Sequence, residues 1–127
     1  MQDSSGSGTM ILVIDDEADI RKIIIRILSS YGYTVEAASN ARAAFEKLSR
    51  QKFNLLLLDI KMPDMDGIEL YGQLKEIVPD LQRHVICISG EMASTRNKDF
   101  LARTNLPFLT KPFGLRELLD KVTAVLG

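Results

Sequence analysis

A chain of 127 residues with 46% hydrophobic and 26% charged side chains has room for one self-supporting core and little beyond it. The net charge of −1 offers no general basic surface for nucleic acid or an anionic membrane, and the single Cys87 excludes an internal disulfide and a cysteine-built zinc site. No apolar run approaches the roughly 18 residues a bilayer span needs, and the N-terminus lacks the basic-then-apolar order of a secretory leader, so a reducing, cytoplasmic setting is expected.

Residues 1–9, MQDSSGSGT, form a Gly/Ser-rich polar tail that reads as a flexible linker or an artificial extension. One domain is expected over residues 10–127. MILVI (10–14) is a continuous apolar run, as a buried parallel strand is, and it ends at Asp15-Asp16. Ile20, Ile23, Ile24, Ile27, Leu28 and Tyr31 recur at spacings of three and four and predict the buried face of a helix stopped by Gly32. Ile25 lies off that face and is a candidate docking residue. TVEAA (34–38) reads as a short strand. Asn40 then caps a helix whose inner face is Ala41, Ala44, Phe45 and Leu48.

NLLLL (54–58) predicts a second fully buried strand, ending at Asp59. The loop KMPDMDG follows, with Asp64 and Asp66 as turn and capping residues and Met62 and Met65 as packing. A third helix is expected to turn Leu70, Tyr71, Leu74 and Ile77 inward and to close at Pro79. HVICI (84–88) is a core strand ending at Ser89-Gly90, with Cys87 as an inert core thiol and His84, the lone histidine, at the strand's far end. Residues 92–104 predict a weakly amphipathic helix, 107–109 a short strand ending near Lys111-Pro112, and the last helix is expected to bury Leu115, Leu118, Leu119, Val122 and Leu126.

Five strand–helix pairs in a row call for a doubly wound α/β fold, a parallel five-stranded sheet with helices on both faces. In such sheets ligands sit beyond the carboxyl ends of the strands, where the strand order reverses. With the order 2-1-3-4-5, Asp15 and Asp16 after strand one lie beside Asp59 after strand three, with Ser89 after strand four and Lys111 after strand five. Converging carboxylates repel one another, and a hard divalent cation relieves them; the lack of His or Cys ligands points to Mg2+, with Mn2+ as a substitute, rather than zinc. An Asp nucleophile with a cation, an ammonium and a hydroxyl around it suits phosphoryl transfer to a carboxylate.

The segments VIDDE (13–17), LLLLDIKMPDMDG (55–67), ISG (88–90) and FLTKPF (108–113) resemble receiver domains of two-component response regulators, over essentially all of residues 10–127. The resemblance implies a flavodoxin-like (βα)5 fold like that of the chemotaxis regulators. Asp59 becomes the phosphoacceptor, with a sensor histidine kinase or a histidine phosphotransfer domain as donor. Asp16 would bind Mg2+ directly, Asp15 mainly through water, and Lys61 would give its backbone carbonyl. Ser89 matches the switch hydroxyl and Phe108 the switch aromatic, where many relatives carry Tyr. The Lys111–Pro112 bond is expected to be cis. Lys61 and Glu91 occupy the two positions that tune phosphoryl lifetime. The switched surface would be the fourth helix, fifth strand and fifth helix.

Two other readings remain open at this point. One is a receiver-like interaction module without phosphotransfer, which the intact set of Asp15, Asp16, Asp59, Ser89 and Lys111 disfavours. The other is an Asp-nucleophile phosphatase, which would want an acid/base Asp where Lys61 stands. The chain is therefore expected to act on nothing but its own phosphorylation. It suits a free-standing regulator or the C-terminal receiver of a hybrid sensor kinase, with a weak dimer as an option and the downstream partner open.

Overall fold

The computed structural model describes residues 8–62, 65–90 and 94–127. Strands β1 (Met10–Ile14), β2 (Thr34–Ala38), β3 (Leu55–Asp59), β4 (Val85–Ser89) and β5 (Phe108–Thr110) alternate with helices α1 (Ala18–Ser29), α2 (Ala41–Arg50), α3 (Gly67–Ile77), α4 (Thr95–Thr104) and α5 (Leu115–Leu126). The five strands form one parallel sheet in the order β2-β1-β3-β4-β5, the expected flavodoxin-like arrangement. Ile14 pairs with Ala38 and Leu58, Asp59 with Ile88, and Ser89 with Thr110. This register brings the carboxyl ends of β1, β3 and β4 level.

The strand period of two divides the apolar runs between two cores. Leu12, Ile14, Leu56 and Leu58 face α2, α3 and α4, while Ile11, Val13, Leu55 and Leu57 face α1 and α5. All eight are fully buried, worth about 2 kcal/mol each in transfer free energy. Both faces of the central strands are covered, which is why their sequences are continuously apolar rather than alternating.

Short polar side chains set the helix starts. Asn40 Oδ1 accepts from Ala43 N–H at 2.8 Å, Asp66 Oδ1 from Glu69 N–H at 2.9 Å, and Ser94 Oγ from Asn97 N–H at 3.2 Å. α4 ends on Asn105, a left-handed cap at φ 57°.

The structure corrects several apolar assignments on the helices. Ile23, Tyr31, Ile77 and Leu115, expected inward, are each roughly half exposed. Ile25, the candidate docking residue, is half-buried, and Ile23 is the exposed isoleucine of α1. For Tyr31, Ile77 and Leu115 the reason is that a helix longer than the strands it covers carries its ends past the sheet, where periodicity no longer implies contact; Ile23, midway along α1, lies beside the buried stripe of Ile20, Ile24, Ile27 and Leu28 rather than in it. Pro79 also does more than end α3; it opens a 3-10 turn over Pro79–Arg83 that delivers the chain to β4. The strands β3, β4 and β5 run one residue later than expected, so Asp59 and Ser89 are themselves the last strand residues. Asp64 lies outside the described residues, while Met62 is buried and Met65 packs against the core.

Candidate functional site

The sheet ends in a cleft of about 470 Å³ lined by Asp16, Glu17, Asp59, Lys61, Met62, Ser89, Gly90 and Lys111. Asp15, the first residue after β1, is fully buried at its base. Its backbone N–H continues the ladder to Ala38 O at 3.1 Å, and its carbonyl accepts from Arg21 Nη1 at 2.8 Å, so α1 holds the turn from behind. Asp15 Oδ1 accepts from Glu17 N–H at 2.8 Å. Among the described residues its Oδ2 has no aligned hydrogen-bond donor; it faces Lys111 Nζ at 3.1 Å, a contact of charges rather than a directed bond.

Asp59 is buried at the tip of β3, where Oδ1 accepts from Lys61 N–H at 3.1 Å and Oδ2 lies 3.4 Å from Lys111 Nζ. The loop behind it closes tightly: Gly67 N–H meets Ile60 O at 2.5 Å, and a Cβ on Gly67 would sit 2.7 Å from Asp59 O and Ile60 Cα. Only glycine lets α3 start that close to the backbone of Asp59. Burial first, and the Asp15 charge second, push the Asp59 carboxyl up to about 7, against the opposing pull of Lys111 and the Lys61 N–H.

Lys111 reaches the centre from the turn after β5, where its N–H bonds Ser89 O at 2.9 Å and the Lys111–Pro112 bond is cis, as the resemblance implied. Its Nζ lies 2.5 Å from Glu17 Oε1, 3.1 Å from Asp15 Oδ2 and 3.4 Å from Asp59 Oδ2. Burial works against its charge, but the contacts with Glu17 and Asp15 and the charge of Asp59 outweigh it and hold the ammonium above the ordinary lysine range.

Of the residues expected here, Asp15, Asp59 and Lys111 are in mutual contact, buried Ser89 lines the wall, and exposed Asp16 and Lys61 line the cleft farther out. Phe108 stands 43% exposed on the outer face, with Lys121 Nζ 5.9 Å from its ring centroid. Glu91 lies outside the described residues. His84 sits at the far end of the sheet, as expected, beside a second cleft. Burial pushes the Cys87 thiol up to about 12, as befits a core residue.

Sequence reasoning missed Glu17. Its carboxylate joins those of Asp15 and Asp59, with ligand atoms within 4.8 Å of one another, an all-oxygen group of the kind that can hold a hard cation. The only available signal was its place in VIDDE, at the head of a helix facing the cleft. A second unforeseen link is Arg96 at the start of α4, which bridges 2.5 Å to Asp66, the N-cap of α3, and helps hold that carboxyl below its usual range despite partial burial.

A buried carboxylate beside a second carboxylate, an ammonium and a hydroxyl at the switch point of a five-stranded doubly wound sheet suits a phosphate-handling signalling domain. The chain belongs to the response regulator receiver domain family, which it matches over residues 11–123. It is 40% identical over 116 residues to the response regulator receiver protein CpdR of Brucella abortus, covering 91% of this chain and 95% of that one. It is 34% identical to the sensor kinase CckA of the same organism, covering 98% of this chain but 13% of the kinase, and it spans about half the length of several other curated relatives. Among solved structures, a CheY-like receiver domain protein of Methanospirillum hungatei superposes with a TM-score of 0.84 at 34% identity, covering 93% of each chain. The response regulator TrrA of Thermotoga maritima, solved in complex with Mg2+ and BeF, gives 0.79 at 29% identity, covering 93% of this chain and 99% of that one. The protein is thus a receiver domain of a two-component response regulator, a class that takes phosphoryl groups from histidine kinases. No helix among the described residues is long and apolar enough to cross a membrane.

Proposed function

We propose that Asp59 is the phosphoacceptor and that Asp15, Asp16, Asp59 and the Lys61 carbonyl, which the resemblance names, hold Mg2+ around it. The observation that carries this reading is the charge gathered at the strand ends: two buried carboxylates share one ammonium, and among the described residues Asp15 Oδ2 meets only that ammonium, without a directed hydrogen bond. A divalent cation fits that donor set, and when bound it neutralises the carboxylates and the incoming phosphoryl oxygens.

In the transfer, an Asp59 carboxylate oxygen attacks phosphorus, the P–N bond of a phosphohistidine breaks, and the imidazole nitrogen keeps the electron pair. The Lys61 N–H holds Oδ1 and leaves Oδ2 toward the cleft for attack. The Lys111 ammonium takes one phosphoryl oxygen and the Ser89 hydroxyl another. The protein thereby catalyses its own phosphorylation, with a sensor kinase or a histidine phosphotransfer domain as donor, in the cytoplasm.

Movement of Ser89 toward the phosphoryl group opens space behind it, and Phe108 leaves Lys121 and turns inward to fill it. This alters the surface of α4, β5 and α5 that a downstream partner, or a second copy in a weak dimer, reads. Lys61 at the mouth, together with Glu91 two residues after Ser89 in sequence, restricts the attacking water and lengthens the phosphoryl lifetime. Residues 10–127 form the receiver unit, free-standing or within a hybrid kinase.

The test is incubation with Mg2+ and a small phosphodonor, read by intact mass and peptide mapping. One added phosphoryl group at Asp59, lost in Asp59→Asn, is the expected result. Labelling that persists in Asp59→Asn would refute the assignment.

A further inference from the structure

Lys111 has three carboxylates within reach, and the nearest is the one the transfer reaction does not require. Glu17 Oε1 lies 2.5 Å from Nζ, against 3.4 Å for Asp59 Oδ2. Glu17 occupies the N-cap position of α1, yet its side chain makes no capping bond. It reaches instead across 94 residues of sequence to the ammonium. The Lys111 side chain is only 16% exposed, so this is not one of the freely solvated ion pairs that contribute almost nothing, although Glu17 itself is 58% exposed. Glu17 can therefore let go into water at little cost, whereas Asp15 and Asp59 cannot move.

We propose that Glu17 is a positioning residue that holds the Lys111 ammonium toward the mouth of the cleft before transfer and hands it to the phosphoryl group on transfer. The proposal rests on Asp59 being the acceptor.

Two consequences of opposite sign follow. Before transfer, Asp15, Glu17 and Asp59 gather around one ammonium, with Asp16 lining the same cleft, so carboxylates outnumber the ammonium where the cation is proposed to sit. Removing the Glu17 charge reduces that excess, and also frees Lys111 to swing toward Asp59, where it repels the cation. Both effects weaken Mg2+ binding. After transfer, Glu17 competes with the phosphoryl oxygens for Lys111 and repels them. Its removal therefore strengthens the hold on the phosphoryl group once Mg2+ is saturating. A residue with a merely structural role, or one that serves only as an additional cation ligand, would not split the two in this way.

The experiment compares the wild type, Glu17→Gln and Asp19→Asn by calorimetric titration with Mg2+ alone, then by 19F NMR titration with beryllofluoride at saturating Mg2+. Asp19 lies in the first turn of α1, is exposed and stands outside the cluster, so its variant removes the same charge from the same helix end. Thermal melts without Mg2+ check that the variants fold. The expected result for Glu17→Gln is Mg2+ affinity lowered about tenfold and beryllofluoride affinity raised about threefold, with Asp19→Asn within about twofold of wild type on both counts. Equal behaviour of the two variants would overturn the proposal, as would a Glu17→Gln protein that weakens both ligands or tightens both. A wild type that takes up no beryllofluoride with Mg2+ would instead sink the acceptor assignment itself.

Discussion

Replacing Asp59 by Asn should stabilise the cation-free protein at neutral pH and above, although it removes the reactive group. The Asp59 carboxyl is pushed up to about 7 from 3.8, chiefly by burial and then by Asp15. Its folded-state pKa thus lies above the unfolded value, so the folded protein binds the extra proton between about pH 4 and 7. Stability from this group is present at the acid end of that window, is lost as pH rises through it, and stays lost above about 7. A shift of roughly three pH units corresponds to at most about 4 kcal/mol, and relaxation of the site brings the realistic value to about 2 kcal/mol. For a domain of this size, that is a rise in Tm of about 8 °C for Asp59→Asn at pH 8. The assay is urea or thermal denaturation of both proteins in chelator, at pH 5 and pH 8. The gap between them should shrink toward zero at pH 5, where the wild-type carboxyl is protonated. It should also shrink at pH 8 when Mg2+ is saturating, because the cation relieves the wild-type carboxylate. An Asp59→Asn protein no more stable than wild type in chelator at pH 8, with no change in the gap between the two pH values, would refute the reasoning.

Two further expectations concern the scaffold. Gly67→Ala places a Cβ 2.7 Å from the Asp59 carbonyl oxygen and Ile60 Cα, which are backbone and cannot step aside; a loss of at least about 2 kcal/mol by urea denaturation is expected, together with weakened Mg2+ binding. Phe100→Ala removes the main apolar anchor of α4, a buried ring edge-on to Tyr71 at 5.5 Å; a loss of about 3 kcal/mol is expected, with hydrogen exchange accelerated in α4 beyond the change in the central strands.

Much of the architecture is legible in the chain because the signals are local. A run such as LLLLD can be buried on both faces only in the middle of a parallel sheet, so its polar terminus marks where a ligand sits. Asn40 and Asp66 announce helix starts through bonds to residues three positions away. Helix periodicity, by contrast, misplaced Ile23, Tyr31, Ile77 and Leu115. It reports which residues share a face, not how far that face extends over the sheet.

The placing of Asp15, Asp59, Ser89 and Lys111 at the strand ends follows from sequence alone, because a polar residue that closes an apolar run lands at the carboxyl edge of the sheet; the proposal of Asp59 as acceptor comes from the family resemblance. Tertiary structure decided the arrangement of charge among them. Sequence order cannot say that the Lys111 ammonium lies closer to Glu17 than to Asp59, that Asp15 Oδ2 faces that ammonium at 3.1 Å, or that Arg96 ties α4 to the α3 cap. Electrostatic energies vary steeply over an ångström, and such distances are set only when long side chains from opposite ends of the chain settle into one cleft.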